Sequence, residues 1–207
     1  MQPHDTDSEL SGWFSDVNAS GKILQYLASD EAGLNKQAAS ILDLGTGNGE
    51  LLFLLREEGD FEGQMLGVDY SEQSVQLCRK LAEGKGLGED VEFKQWDIMS
   101  TESLDVRQGY DVVLDKGTFD AISLSEDVDE QGRRICEGYR ERVQRLMKDG
   151  GLLLVTSCNW TEGELKRWFI RDELETVGRI EYPVFQFGGH TGQSVCSVCF
   201  RRRRKVE

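Results

Sequence analysis

The sequence predicts an α/β fold, a doubly wound and mostly parallel seven-stranded sheet with an antiparallel last strand. Three observations carry that expectation. Short apolar runs alternate with stretches whose apolar residues recur every three or four positions. The first run, Ile41-Leu42-Asp43-Leu44, opens directly into Gly45-Thr46-Gly47-Asn48-Gly49-Glu50 and then into apolar Leu51 to Leu55. That order reads as buried strand, tight turn and helix start. Four successive apolar runs also end in, or run straight into, an aspartate: Asp43, Asp69, Asp97 and Asp115.

Taken in order, residues 1–11 are polar and acidic and read as a flexible segment. Gly12-Trp13-Phe14 interrupts that polarity, and Ile23, Leu24 and Leu27 form a short helical stripe. A first strand is expected at about 39–44 and a helix at about 48–58. Gln64 to Asp69 is a second apolar strand; Ser71 can cap the next helix, with Glu72 in its first turn and Val75, Cys78 and Leu81 on one face. Val91 and Phe93 alternate with charged residues, as in an edge strand ending near Trp96-Asp97. Tyr110 to Leu114 is another buried strand. The spacing of Cys136, Tyr139, Val143, Leu146 and Met147 predicts a helix, and Gly150-Gly151 breaks it before the strand Leu152 to Thr156. Thr161 and Glu164 form a capping box ahead of Leu165, Trp168 and Phe169. Arg179 to Phe187 and Ser194 to Phe200 read as a closing hairpin around the glycine turn at 188–192. Residues 12–200 then form one domain, and 201–207 a basic C-terminal tail.

Composition narrows the function classes. With 38% apolar and 30% charged residues, the chain suits a soluble domain, and no apolar run reaches the roughly 20 residues that span a bilayer. A formal net charge of −14 repels nucleic-acid backbones and favours basic partners. Five scattered cysteines, an odd number, point to a reducing compartment, so a cytoplasmic location is expected. Cys196 and Cys199, three apart on a strand, face opposite ways, which disfavours a metal site.

In a doubly wound sheet, ligands sit beyond the carboxyl ends of the strands, so the residues just past each strand are the site candidates. The loop spacing is G-x-G-x-G, with Glu50 where the third glycine of a dinucleotide fingerprint would sit. A carboxylate there is a poor neighbour for a pyrophosphate. Asp69, which ends the second strand 26 residues after Asp43, can accept hydrogen bonds from ribose hydroxyls, a role that does not separate the possible adenosine cofactors. Asp97 can accept from an adenine amino group and the Ile98 N–H can donate to the ring. Asp115 is expected to face the entering substrate at the switch point of the sheet.

The stretch Asp43-Leu44-Gly45-Thr46-Gly47-Asn48-Gly49 resembles motif I of class I S-adenosylmethionine-dependent methyltransferases. Three more stretches are more discriminating: Asp115-Lys116-Gly117-Thr118-Phe119-Asp120-Ala121-Ile122, Thr156-Ser157-Cys158-Asn159-Trp160-Thr161, and Phe187-Gly188-Gly189-His190-Thr191-Gly192-Gln193-Ser194. Together they resemble the elongation factor 1-alpha lysine methyltransferase 2 family over about residues 12–200. The resemblance implies S-adenosylmethionine as cofactor and a lysine of translation elongation factor 1-alpha as acceptor; the alternatives are an N-methyltransferase of another protein or a small amine, or a non-catalytic scaffold that binds the same cofactor. Cofactor contacts are expected at Asp43, Gly45, Thr46, Gly47, Gly49, Asp69, Tyr70, Asp97, Ile98 and Asp115, with Trp13 closing the site. Asp115, Asn159, Trp160 and Phe119 are the expected catalytic group, the two aromatics lining a pocket for the amine and Lys116 lying on the surface. A monomer is expected, with a protein substrate and neither membrane nor direct nucleic-acid contact.

Overall fold

The computed structural model describes residues 17–104, 106, 108–129, 131–171, 173–187 and 190–204. Helix α1 (Ala19–Leu27) precedes β1 (Ile41–Leu44), α2 (Glu50–Glu57), β2 (Met65–Asp69), α3 (Glu72–Lys85) and β3 (Val91–Gln95). Then come β4 (Tyr110–Lys116), α4 (Thr118–Leu124), a 3-10 turn (Ile135–Gly138), α5 (Tyr139–Leu146), β5 (Met147–Ser157) and α6 (Glu162–Phe169). β6 (Leu174–Ile180), β7 (Val184–Phe187), β8 (His190–Gln193) and β9 (Cys196–Arg202) complete it. Seven strands form one sheet in the order β3-β2-β1-β4-β5-β9-β6. The β3-β2-β1-β4-β5 block is parallel, and β9 enters antiparallel between β5 and β6. The order reverses between β1 and β4, which makes their carboxyl ends the switch point.

Burial follows from that position. Every residue of β1 and β2 is buried, as central parallel strands covered on both faces require, whereas edge strand β3 alternates buried Val91 and Phe93 with exposed neighbours. The alternation of side chains splits the core in two. Ile41, Met65, Val112 and Leu152 face α1, α2 and α3 with Ile23, Leu52, Val75 and Cys78. Leu42, Leu66, Val113 and Leu153 face α4, α5 and α6 with Phe119, Tyr139, Val143 and Phe169. Cys199 belongs to the first core and Cys196 to the second, so their sulfurs lie on opposite sides of the sheet.

Four expectations change. Helix α4 was not anticipated: at seven residues it is too short for a periodic signal, and it starts only because Gly117 turns the chain at φ 89°. Met147, expected to end a helix, instead opens β5 in extended geometry. On α3 the buried stripe is Val75, Cys78 and Ala82, because seven residues nearly complete two turns while six do not, and Leu81 is left exposed. The closing hairpin divides. β6 ends at Ile180, Pro183 follows, and Val184–Phe187 pairs with His190–Gln193 in a separate two-stranded ribbon. Gly188 and Gly189 lie outside the described residues.

The basic block is no tail at its start. Arg201 and Arg202 belong to β9. The Arg202 guanidinium, only 16% exposed, donates to the carbonyls of Gln144 (3.0 Å) and Met147 (2.7 Å) and pairs with Glu173 at 3.2 Å. It fastens the last strand to the end of α5. Arg202→Ala is therefore expected to lower the unfolding free energy by about 2–3 kcal/mol, since charged hydrogen bonds are lost in a half-closed site. Arg203→Ala removes an ion pair more than half exposed at the arginine and is expected to cost less than about 0.5 kcal/mol. Urea titration of the two variants checks the contrast.

Candidate active site

The carboxyl ends of β1, β2, β3 and β4 surround a crevice of about 380 Å³. Leu44, Gly45, Gly47, Val68, Asp69, Tyr70, Ser71 and Ser74 line one side. Trp96, Asp97 and Ile98 form its end, and Lys116, Gly117, Thr118, Ala121 and Ile122 line the other side. A larger cavity, about 750 Å³, lies at the opposite end of the sheet between Ala32–Ala39 and the end of β9. Its lining charges are mostly paired, as in Lys148–Asp111 and Arg203–Glu175, and it faces away from the strand ends where such sheets bind ligands. The smaller crevice is the candidate site.

The glycine loop takes its shape from the groups around it. Thr46 N–H donates to Val68 C=O at 2.9 Å, and its hydroxyl donates to Asp43 at 2.7 Å. Gly47 N–H donates to one oxygen of Asp69 at 2.9 Å, and Ser71 N–H to the other at 2.9 Å. The Cys78 thiol donates to Gly47 C=O at 3.2 Å, and burial pushes that thiol up to about 12, so it remains a donor. Gly45 and Gly47 sit at φ +64° and +59°. A Cβ at 47 would meet nothing within 4 Å, which leaves the crevice side of the loop open. A Cβ at 45 would lie 2.1 Å from the Thr118 hydroxyl, because Thr118 closes in to donate to Leu44 C=O at 2.6 Å.

The expected site residues divide into two groups. Asp69, Tyr70, Asp97, Ile98, Gly45 and Gly47 line the crevice. Asp69 is nearly buried yet has lone pairs beyond its two backbone bonds; Asp97 is exposed and accepts from Met99 N–H at 2.7 Å through one oxygen. Lys116, expected on the surface, lines the crevice half-buried. Asp43, Thr46 and Gly49 are buried behind the loop, shaping it from within. Trp13 lies outside the described residues.

Two expectations on the β4 side are corrected. Asp115 does not face the crevice. It is 1% exposed, and its oxygens are taken by Thr118 N–H (2.9 Å), Phe119 N–H (3.1 Å) and the Tyr139 hydroxyl (2.5 Å). Burial, opposed by those bonds, pushes its carboxyl up to about 7. Phe119 does not line a pocket either. It is fully buried, with the rings of Tyr139, Trp160, Trp168 and Phe169 within 5.1–5.4 Å. The helical turn of α4 sends Phe119, Asp120 and Ser123 inward and leaves Thr118, Ala121 and Ile122 on the crevice.

The end of β5 is tied to the same helix. Asp120 accepts from the Ser157 hydroxyl at 2.5 Å and from Cys158 N–H at 2.8 Å. Half-buried Trp160 donates its indole N–H to the Ser123 hydroxyl at 3.0 Å, and Asn159 beside it is exposed. Burial and the adjacent Asp120 hold the Cys158 thiol up at about 12, which makes it a poor nucleophile. Gly117, Thr118, Ala121, Ile122, Ser74 and Trp96 are crevice residues that the sequence did not single out. A helix starting after Gly117 would have flagged the first four.

The raised Asp115 carboxyl has a stability consequence. Its folded value lies above the ordinary carboxylate range, so the stability it contributes is complete below about pH 4 and is lost as pH rises through 7. Asp115→Asn retains a hydrogen-bonding side chain without the charge. The unfolding free energy of this variant relative to the parent is expected to climb by roughly 1 kcal/mol per pH unit between pH 5 and 7. Denaturant titrations across that range check it; a flat difference would mean that the carboxylate is solvated.

Residues 35–189 match a family described as a methyltransferase domain. The protein-lysine N-methyltransferase EFM4 of Saccharomyces cerevisiae is 44% identical over 191 residues, 91% of this chain and 81% of that protein. The human EEF1A lysine methyltransferase 2 is 33% identical over 190 residues, 92% of this chain and 75% of that protein. Among solved structures, the [4+2]-cyclase SpnF has a TM-score of 0.64 at 16% identity, covering 89% of this chain and 82% of its own. The O-methyltransferase segment StiE has 0.62 at 17% identity, covering 90% and 74%. These structural likenesses establish the fold alone. With its crevice at the switch point and its glycine loop after β1, the chain belongs to the S-adenosylmethionine-dependent methyltransferase-domain family, in the group that contains these protein-lysine N-methyltransferases.

Proposed function

We propose that the protein transfers a methyl group from S-adenosylmethionine to the side-chain amine of a lysine on translation elongation factor 1-alpha. The observation that carries this reading is the 44% identity, over 91% of the chain, to a yeast protein-lysine N-methyltransferase, and it is supported by relatives named for EEF1A lysine. Residues 12–200 act as the catalytic domain. The reading is of a monomer acting in the cytoplasm. The net charge of −14 suits a basic protein surface better than a nucleic acid. Among the described residues, no helix is long and apolar enough to cross a membrane.

When bound, S-adenosylmethionine supplies an electrophilic methyl group on a sulfonium. The crevice fits its adenosine end. Asp69 would accept from the ribose hydroxyls through lone pairs not used by Gly47 and Ser71, with Tyr70 at its side. Asp97 and the Ile98 N–H would read the adenine, and the side chains of Trp96 and Ile98 would bracket it. Gly45, Gly47, Gly117 and Thr118 would give the rest of the cofactor close backbone approach. Asp43 and Asp115 act at one remove: the first holds Thr46, the second the start of α4.

The chain's task at the acceptor is to hold a neutral amine. A lysine of ordinary pKa about 10.4 is about 0.1% neutral near pH 7.4, a handicap of roughly 4 kcal/mol. Ala121 and Ile122 offer an apolar approach, which disfavours the ammonium form, whereas Asn159 and Trp160, expected at the amine, lie outside the crevice lining at the end of β5. Among the described residues, the crevice carboxylates are Asp69 and Asp97, both on the β2–β3 side, and Asp115 is sealed beneath α4. The proton is accordingly given up to water as the amine enters, since none of the described residues offers a side-chain base beside Ala121 and Ile122.

Incubation of the protein with labelled S-adenosylmethionine and purified elongation factor 1-alpha is expected to label one lysine, located by mass spectrometry and lost on Lys→Arg replacement in the substrate. An unlabelled substrate would overturn the reading. Asp69→Ala is expected to weaken S-adenosylmethionine binding about 10- to 100-fold by calorimetry, and to cost about 1–3 kcal/mol of stability because Gly47 and Ser71 lose their acceptor.

A further inference from the structure

The three most exposed large apolar side chains among the described residues are Tyr70 (70%), Leu124 (64%) and Val128 (58%). Two of them adjoin the crevice, and Val128 follows four residues after Leu124. Tyr70 is part of its lining, and Leu124 ends the helix whose Ala121 and Ile122 form the opposite side. The less exposed Leu77 and Leu81 sit on α3. Apolar side chains gathered at the mouth of one site mark a contact surface rather than random exposure.

The segment carrying Leu124 and Val128 is held in place. Arg134 donates to the carbonyls of Ser123 (2.5 Å) and Ser125 (3.1 Å). Ile135 N–H reaches Asp127 C=O at 3.1 Å, and Val128 and Arg134 form a β-bridge. A ledge fixed before binding loses little freedom on contact. Its charges are selective. Asp129 is matched by Arg133 at 2.8 Å, whereas Glu126 and Asp127 have no ion pair among the described residues. On a chain of net charge −14, this ledge presents apolar side chains beside open carboxylates.

We propose that the Leu124–Val128 ledge is the docking surface for the protein substrate. It would take an apolar side chain next to the acceptor lysine, while Glu126 and Asp127 meet basic residues. This rests on the reading above that the acceptor is a lysine of a folded protein. It assigns recognition to a segment outside the cofactor crevice.

The test is steady-state methylation of the protein substrate by the Leu124→Ser/Val128→Ser double variant. KM is expected to rise about tenfold or more, as the loss of two buried apolar contacts implies, with kcat within about twofold and S-adenosylmethionine affinity unchanged. Leu77→Ser, an exposed apolar change on α3, is the control and is expected to leave KM unaltered. Glu126→Lys/Asp127→Lys is expected to raise KM and flatten its dependence on salt. An unchanged KM in the double variant overturns the ledge. If the parent enzyme labels a different protein in a cell extract, the assigned substrate is wrong while the ledge is read by the same KM ratio on that protein. If it labels no protein, both readings fail.

Discussion

Buried carboxylates that take up backbone N–H groups after four of the five parallel strands hold this site together. Where a strand gives way to a helix, the first amides of the turn have no partner within either element. Asp69 takes those of Gly47 and Ser71, and so joins the turns after β1 and β2. Asp115 takes those of Thr118 and Phe119, and Asp120 takes that of Cys158 after β5. The first two sets shape walls of the crevice, and the third ties the end of β5 to α4. The walls are rigid because their donors are amides, whose positions are set by the chain.

The sheet was legible because its signals are long-range and redundant. Four apolar runs with aspartates at their ends and a glycine turn after the first can be satisfied together by few architectures. The crevice residues on β1, β2 and β3 were legible for the same reason: they follow directly from where those strands stop. The β4 side was not. Asp115 and Phe119 stand in a stretch that reads like part of a ligand site, but only the turn of α4 decides which of its side chains face the crevice. A seven-residue helix leaves no periodic trace from which to read that. The division of the C-terminal hairpin was hidden likewise, since alternation in β6 and β7 looks continuous until Pro183 interrupts it.

The buried charges of the site also separate holding from reacting. Asp43, raised to about 6 by burial, and Asp115, raised to about 7, carry the largest perturbations among the strand-end acids, yet neither opens on the crevice. A perturbed carboxylate in a methyl-transferring fold invites assignment as a base. The hydrogen bonds argue otherwise: the Asp115 oxygens already receive two amides and a phenol. On the proposed reading, the chemistry left to the chain is positioning and desolvation. Structural relatives at 16–17% identity share the sheet while their names differ in reaction, which agrees with a division between a common frame and variable loops.

The contact between Gly45 and Thr118 has a consequence for how this loop can drift over generations. A methyl group at 45 would overlap the Thr118 hydroxyl, and that hydroxyl is committed to the Leu44 carbonyl. A larger residue at 45 is shut out while a hydroxyl stands at 118, and a residue at 118 without a hydroxyl strands a carbonyl at the end of β1. Two sites 73 positions apart are thus tied into one heritable unit, and lineages are expected to keep glycine at the first and a hydroxyl at the second.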